Sequence, residues 1–176
     1  LELEDVVSIA ADATSSDAGE VCEAANDNAY GQVVVSGSHE AVGRTIELAK
    51  MRGARRAILL PVSAPFHCSL MAPATEAVEE ALEQTTIAPP LVPLIANVTG
   101  EETSNPDLIR RQLVEQITGM VRWRESVLYM RAKGVNKIVE VGAGSVLSGL
   151  IRRIDSDIST VSLQGPADIE AFVKEA

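Results

Sequence analysis

The stretch NKIVEVG, residues 136–142, decides the fold class of this chain. Its nearly continuous apolar run is typical of a parallel strand whose two sheet faces are both covered. A helical pattern follows at residues 145–153, a second strand pattern, STVSLQG, at residues 159–165, and a last helix at residues 167–174. This alternation of strands and helices predicts a mainly parallel α/β sheet.

The segment before this strand predicts further helices and one interrupted strand. The helices are expected at residues 73–84, 106–117 and 123–133. PLVPLIANVTG, residues 90–100, is expected to form a strand whose first half lies at a sheet edge, because Pro93 cannot donate a ladder hydrogen bond. Asn105 is expected to cap the second helix, with Pro106 at its first position.

Residues 1–62 predict the order helix–strand–strand–helix–strand, which is that of a ferredoxin-like unit without its first strand. QVVVSG, residues 32–37, is a β-branched run that ends in glycine and predicts a strand. Helices are expected at residues 3–13 and 39–52, a strand at residues 55–62 and a loop at residues 14–20. The missing first strand would precede Leu1, so we expect that this chain lacks a preceding part.

Composition and charge exclude several classes of function. The chain has 176 residues, 46% of them hydrophobic and 23% charged, which fits one ordinary domain or two small lobes. The net charge of −10 argues against duplex nucleic acid as a partner, because such proteins need basic patches. No apolar run reaches the roughly 18 residues of a membrane span. Cys22 and Cys68 do not form a disulfide-scaffold pattern, which favours a cytoplasmic location.

LLPVSAPFHCSL, residues 59–70, places His67 on a turn stiffened by Pro61 and Pro65. Histidine titrates near neutral pH, and α/β folds commonly hold catalytic groups after strand ends. A catalytic base needs a nucleophile, but the chain contains no G-x-S-x-G elbow, and Cys68 is interpreted as a structural thiol. The residues alone therefore leave two roles open for His67, a general base or a structural side chain.

Six motifs occur in a fixed order along the chain: NDNAYGQVVVSG, LLPVSAPFHCSLMAPA, IANVTG, LVEQI, VRWRESVLYM and EVGAGSVLSGLIRR. In these motifs the chain resembles the malonyl-CoA:acyl carrier protein transacylases of fatty acid synthesis. Only the rear part of the family pattern is matched. The family's early glutamine loop, its G-H-S-L-G nucleophile elbow and its carboxylate-binding arginine would all precede Leu1.

The predicted fold class is therefore α/β, in two parts. Residues 1–62 are expected to form the incomplete ferredoxin-like small subdomain. Residues 63–176 are expected to form the C-terminal part of the large subdomain, an α/β-hydrolase-like parallel sheet.

The resemblance implies a mechanism in which a serine outside this chain attacks malonyl-CoA. His67 would take the serine proton and later activate the phosphopantetheine thiol of acyl carrier protein. A main-chain carbonyl orients the histidine in this family, and the matching position is Gln116. Family similarity also places Asn28 and Gln32 beside the acyl pocket and Asn97 near the histidine loop, although backbone capping explains these three equally well. Malonyl-CoA is a substrate, and neither a cofactor nor a metal is expected.

Phe66 bears on the choice of acyl group. In related acyltransferases a bulky aromatic residue just before the histidine accompanies malonyl, and a smaller residue accompanies methylmalonyl. A phenyl ring would fill the space that an α-methyl group needs, and overpacking by one methyl costs about 1–3 kcal/mol. The resemblance therefore predicts that Phe66 favours malonyl.

AKMRGARRA, residues 49–57, concentrates basic side chains in an acidic chain. Acyl carrier proteins are acidic, so a local basic patch could dock the carrier or the phosphates of coenzyme A. A solvated helix end, where cations suit the helix dipole, is the alternative interpretation. The candidate docking residues are Lys50, Arg52, Arg55 and Arg56.

Three interpretations of the whole chain remain. The first is a malonyl transacylase whose N-terminal half, with the serine, is a separate or missing partner. The second is an acyltransferase domain of a polyketide synthase. The third is a non-catalytic fragment that binds carrier protein. Because no matched nucleophile is present, we expect this chain to be inactive alone, and we expect no nucleic acid or membrane partner.

Overall fold

The computed structural model describes residues 1–14 and 19–175. Residues 15–18, inside the predicted loop at residues 14–20, lie outside the described residues. The chain divides into two compact units, Leu1–Ser126 and Val127–Ala176. The predicted subdomain boundary after residue 62 stays a prediction.

The first unit holds most of the helices and two small sheets. Its helices are α1 (Leu3–Ala13), α2 (His39–Met51), α3 (Thr75–Glu83) and α4 (Pro106–Glu115), with a 3-10 helix at Ser69–Ala74. Its strands are β1 (Cys22–Ala29), β2 (Gln32–Gly37), β3 (Leu94–Ile95) and β4 (Glu102–Thr103). Helix α5 (Trp123–Ala132) includes the residue at which the units divide.

Strands β1 and β2 form an antiparallel hairpin in register from Cys22 opposite Gly37 to Ala29 opposite Gln32. The register shifts twice along β1, so this strand contains two bulges. Gly37 is required by a close approach, because a Cβ atom there would lie 2.0 Å from the carbonyl oxygen of Val21. The order helix–strand–strand–helix that was predicted for this region is present.

A small core lies between the hairpin and the helices α1 and α2. Ala10, Cys22 and Ala41 are buried together, and Val35 and Val42 pack against them. Small side chains at these positions let helix and sheet backbones approach closely. Burial raises the pKa of the Cys22 thiol, which keeps this core residue protonated and apolar.

The strand predicted at residues 55–62 is not formed. Among the described residues no other strand lies beside it, and its apolar side chains are exposed, with Leu59 at 61% and Val62 at 65%. A strand needs neighbouring backbone groups to complete its hydrogen bonds, so apolar composition alone does not produce one. The ferredoxin-like order therefore lacks its last strand here.

The strand predicted at residues 90–100 is also shorter than expected. Only Leu94–Ile95 pair, in antiparallel fashion with Glu102–Thr103. Pro93, which has no N–H to donate, precedes the first paired residue. The strand ends after Ile95 because residues 96–100 form a turn, in which the Gly100 N–H donates to the Ala96 carbonyl. The helix predicted from residue 73 likewise begins as the 3-10 helix Ser69–Ala74 and continues as α3.

The second unit is a strand–helix–strand motif followed by a helix. Strands β5 (Lys137–Val141) and β6 (Ser159–Leu163) are parallel, as predicted, and α6 (Val146–Ile154) connects them. Helix α7 (Pro166–Glu175) follows. The core of this unit comes from α6, β6 and the segment between them, and it includes Leu150, Ile151, Ile154, Ile158 and Leu163.

The fold class is mixed α/β rather than mainly parallel. Within residues 1–14 and 19–175, β5 with β6 is the parallel strand pair, and the other two pairs are antiparallel. The unpaired segment at residues 55–62 accounts for part of this difference, since it adds no strand to any described sheet. No helix in the same residues is long and apolar enough to cross a bilayer.

Candidate active site

His67 occupies a strained position on the turn before the 3-10 helix. It is the only non-glycine residue with positive φ among the described residues, at 61°. Left-handed backbone costs an L-residue about 1–2 kcal/mol and persists where surrounding contacts enforce it. Beside it, the buried Cys68 thiol donates to the carbonyl oxygen of Pro65 at 3.2 Å, so this cysteine stabilises the turn.

The ring of His67 is held by a main-chain carbonyl. Its Nδ1 atom lies 3.0 Å from the carbonyl oxygen of Gln116. A carbonyl oxygen only accepts hydrogen bonds, so Nδ1 carries the proton and donates it. The Nε2 atom of the neutral ring is then unprotonated and able to accept a proton, which is what a general base requires.

Gln116 presents its carbonyl because it directly follows α4, where the last carbonyls of a helix have no helical partner. Its side-chain Nε2 donates to the carbonyl of Gly119 at 2.8 Å. Gly119 is needed at this turn, because a Cβ atom there would lie 2.9 Å from the carbonyl oxygen of Glu115. The helix end and the following turn therefore fix the carbonyl that His67 contacts.

The segment after this turn is attached to the hairpin. The Val121 N–H donates to the carbonyl of Ala25 at 2.8 Å, and the Asp27 N–H donates to the carbonyl of Val121 at 2.9 Å. These bonds form a parallel bridge beside β1. The hairpin and the segment that orients His67 are therefore joined through their backbones.

A buried ion pair strengthens this junction. Asp27 is 1% exposed, and both its carboxylate oxygens accept from Arg124 Nε, at 3.1 and 2.9 Å. The Arg124 guanidinium also lies over the Tyr30 ring, 4.9 Å from its centroid. Burial raises the pKa of the Asp27 carboxyl, and the hydrogen bond from Arg124 opposes that rise. The aspartate depends on this partner, because an unpaired buried charge is strongly destabilising.

Known proteins match this chain closely in sequence and fold, although no protein-family profile matches it. The malonyl CoA-acyl carrier protein transacylase of Escherichia coli K12 is 41% identical over 170 residues, which are 97% of this chain and 55% of the relative. The chain belongs to the malonyl-CoA:acyl carrier protein transacylase family. It spans about half the length of the curated relatives that it matches.

Solved structures of family members agree with this assignment. The acyl-carrier-protein S-malonyltransferase of Bartonella henselae has a TM-score of 0.92 and 44% identity, with 99% of this chain and 55% of that chain covered. A malonyl transacylase solved in complex with its type II polyketide acyl carrier protein has a TM-score of 0.94 and 33% identity. That match covers 100% of this chain and 56% of the other. The resemblance found in the sequence motifs is thereby confirmed.

The structure brings some of the predicted site residues of this family member near His67 and leaves others on a different element. Phe66 precedes the histidine and is 48% exposed. Asn97 and Gln116 line one cavity of about 130 Å³. Asn28 lies where the register of β1 shifts for the second time, and Gln32 pairs with Ala29 beside the hairpin turn. Their proposed contact with an acyl group stays a prediction.

The four basic docking candidates differ in their surroundings. Lys50 pairs with Glu47 at 2.7 Å, and Arg52 pairs with Asp12. Arg55 and Arg56 are exposed, and the structure gives them no hydrogen-bond or ionic partner within residues 1–14 and 19–175. Of the four candidates, Arg55 and Arg56 can therefore meet a partner without first breaking an ion pair with another described residue.

Glu23 contacts the histidine loop and was not found from the sequence. Its carboxylate accepts hydrogen bonds from the Ser69 N–H at 3.0 Å and from Ser69 Oγ at 2.7 Å. The two residues are 46 positions apart, and no local motif connects them. Strand alternation was the one available signal, because a residue next to the buried Cys22 points to the opposite face of the sheet.

No metal centre is assembled in the part of the chain that the structure describes. There, no three His, Cys, Asp or Glu side chains come together in a way that could hold a metal ion. Cys22 and Cys68 are both free and buried.

Proposed function

We propose that this chain is the histidine-bearing part of an enzyme that transfers malonyl groups from malonyl-CoA to acyl carrier protein. The observation that carries the proposal is the 3.0 Å contact between His67 Nδ1 and the Gln116 carbonyl oxygen. That contact occurs in a chain that is 41% identical to a malonyl CoA-acyl carrier protein transacylase. The serine nucleophile would come from the part of the relatives' length that this chain does not span.

The chemistry divides into two acyl transfers. The serine oxygen attacks the malonyl thioester carbonyl while His67 Nε2 takes the serine proton, and coenzyme A leaves with that proton. The phosphopantetheine thiol of the carrier then attacks the seryl ester, gives its proton to His67 Nε2, and the serine regains it. His67 ends each transfer neutral. The Gln116 carbonyl holds the ring tautomer as a carboxylate would, but it stabilises the imidazolium less.

The direct test is malonyl transfer by the enzyme assembled from this chain and the remaining part of its relatives' length. His67→Ala should lower the transfer rate about 10²–10⁴-fold, the usual contribution of a general base. His39→Ala is the matched control, since His39 is the other histidine and lies exposed at the start of α2. Transfer that survives His67→Ala would refute the proposal.

Phe66 would select malonyl over methylmalonyl, with Asn28, Gln32 and Asn97 lining the acyl pocket. The support is the position of Phe66 directly before His67 and its exposure. Phe66→Ala should raise the kcat/KM for methylmalonyl relative to malonyl about tenfold, because one methyl group is worth about 1–3 kcal/mol in a pocket. Leu91→Ala, at a fully exposed position, should leave that ratio unchanged.

Acyl carrier protein would dock on Arg55 and Arg56, with Lys50 and Arg52 contributing only after their ion pairs break. Carrier proteins are acidic, so charge reversal at both arginines should raise the KM for carrier several-fold at low salt. The effect should shrink as ionic strength rises. Lys174→Glu, an equally exposed change on α7, is the control. An unchanged KM in the double reversal would remove this surface from the proposal.

Two earlier alternatives are less well supported. The matched relatives are named as malonyl transacylases, which disfavours an acyltransferase domain of a polyketide synthase. A non-catalytic carrier-binding fragment would leave the strained, oriented histidine without a purpose. A cytoplasmic location belongs to the proposal, and the two free, buried cysteines are compatible with it.

A further inference from the structure

We infer that Glu23 is a positioning residue for His67, because its carboxylate fixes the backbone just beyond the histidine. The inference rests on the proposed function, in which His67 is the general base. The two hydrogen bonds that Glu23 accepts come from Ser69, two residues after His67. No step of the proposed chemistry uses Glu23 itself.

Cys68, directly after His67, is held by its thiol, which donates to the Pro65 carbonyl, and by its carbonyl, which accepts from the Met71 N–H, but neither bond holds Ser69. Ser69 is the first residue of the 3-10 helix, so its N–H has no partner within that helix. Cys68, at the cap position, makes no side-chain capping hydrogen bond. Glu23 fills this role from another strand, since one carboxylate oxygen accepts the Ser69 N–H and the other accepts the hydroxyl.

The strain at His67 explains why such a clamp matters. A histidine at φ 61° relaxes to ordinary backbone unless the residues on both sides are held. The ring is held by the carbonyl of Gln116, and Ser69, two residues further along, is held by Glu23. With the second contact removed, the turn can relax and carry Nδ1 away from its carbonyl partner.

Glu23 is suited to this task because its own position is well defined. It lies on β1 opposite Ser36, between the start of the strand and its first bulge, and next to the buried Cys22. Both hydrogen bonds to Ser69 are accessible to solvent, so water can replace part of the contact. We therefore expect a graded effect on catalysis rather than a complete loss.

The test uses the assembled transacylase and separates kcat from KM. Glu23→Ala should lower kcat about tenfold, because small misplacements of a catalytic group have large effects on rate. The KM for malonyl-CoA should stay within about twofold, since Glu23 contacts no substrate. Glu23→Gln keeps one acceptor oxygen and Ser69→Ala keeps the N–H contact, so both should fall between wild type and Glu23→Ala.

A matched charge control is available on the neighbouring helix. Glu79 is exposed on α3 and accepts no described hydrogen bond, so Glu79→Gln should leave kcat unchanged. In the variant Glu23→Ala, the His67 Nδ1–H proton should exchange with solvent about tenfold faster by NMR. The same proton should be unaffected in Glu79→Gln. This readout needs no activity and reports directly on the ring contact.

The outcomes distinguish this inference from the proposed function. If His67→Ala abolishes transfer while Glu23→Ala leaves both kcat and proton exchange unchanged, Glu23 has no positioning role. If KM rises while kcat is constant, Glu23 acts on substrate binding and the inference is overturned. If His67→Ala leaves transfer intact, the proposed function itself fails. Ser69→Ala keeps the test decisive if Glu23→Ala does not fold.

Discussion

Two turns in this chain contain residues with positive φ, and each turn is followed by a helical segment. The two turns use different residues at these positions. The turn after β5 uses Gly142 and Gly144, with φ of 136° and 90°, while the turn before the 3-10 helix uses His67 at 61°. Glycine adopts such backbone without strain, and histidine does not. The difference indicates that the first turn simply changes direction, whereas the second is built to place a ring.

The two turns also differ in how far away in sequence the residues lie that form hydrogen bonds with them. Glu140 accepts from the N–H groups of Leu147 and Ser148, the latter only 8 residues away. His67 is oriented by a residue 49 positions away, and the clamp on Ser69 comes from 46 positions away. A local turn is encoded by its own motif, but the histidine turn depends on the folding of the whole first unit.

The largest expected effect comes from breaking the junction behind the histidine turn. Asp27→Ala should lower the free energy of unfolding of the first unit by about 3–5 kcal/mol, because it leaves Arg124 without its buried partner. Urea unfolding followed by the fluorescence of Trp123, the single tryptophan, measures it. Arg52→Ala, in an exposed pair, should cost less than about 1 kcal/mol. Equal effects in the two variants would contradict the proposed importance of the junction.

The glycine turn can be tested by adding a side chain. Gly144→Ala should destabilise the second unit by about 1–2 kcal/mol, because alanine is strained at φ 90°. Gly165→Ala is the control, since its φ is not positive and an added Cβ meets no atom. Thermal unfolding by circular dichroism compares them. A Gly144→Ala variant as stable as Gly165→Ala would remove the contrast between the two turns.

The converse change removes strain at the histidine turn. His67→Gly and His67→Ala both lose the ring, but only glycine fits the left-handed backbone. We therefore expect His67→Gly to be more stable than His67→Ala by about 1 kcal/mol in chemical denaturation. An alanine variant of equal stability would show that the turn relaxes once the ring is gone.

The smallest effect is expected from the carboxylate that caps α6, because Glu140 is accessible to water. The Ser148 hydroxyl and nearby N–H groups lower the pKa of Glu140 below its ordinary value of 4.5. Because the pKa is lower in the folded state, the ionised carboxylate stabilises the fold fully above the unfolded-state pKa. This stabilisation is lost as the pH falls through the folded-state pKa. Glu140→Gln should therefore be less stable at neutral pH, with a gap that closes in acid.

The control for that change is Glu170→Gln, an exposed position on α7 of the same unit. Its stability should follow that of the unmodified chain throughout the acid titration. A gap for Glu140→Gln that is independent of pH would mean that the glutamate contributes through packing rather than through its charge.

Local patterns predicted the helices and the parallel strands of this chain well. Asn105 caps α4 as expected, with its side-chain oxygen accepting from the N–H groups of Asp107 and Leu108. The apolar run at residues 136–142 forms β5, in parallel with β6. Such features could be predicted because the residues that stabilise them are close together in sequence.

Long-range pairing could not be predicted from the same patterns. β1, with the sequence CEAANDNA, has few strand-forming residues, yet it pairs along its length with β2. The segment at residues 55–62 contains an apolar run, Ile58 to Leu60, yet it pairs with nothing in the described chain. Whether a strand forms therefore depends on an available neighbour more than on composition.

The candidate site shows the same division between local features, which the sequence predicts, and long-range contacts, which it does not. His67 stood out by its proline-stiffened turn, and the family resemblance pointed to Gln116. The contact of Glu23 with Ser69 had no sequence signal, because it joins a strand to a turn far along the chain. The acyl-pocket roles of Asn28, Gln32 and Asn97 remain predictions.

The central claim is that the Gln116 carbonyl accepts the Nδ1–H of His67, which leaves Nε2 as the unprotonated nitrogen of the neutral ring. The most direct measurement is nitrogen-15 NMR of the neutral His67 ring, with His67→Ala used to assign its signals. We predict that Nδ1 is protonated and hydrogen-bonded and that Nε2 is not. A ring that carries its proton mainly on Nε2 would contradict the account, because Nδ1 could then not donate to the Gln116 carbonyl.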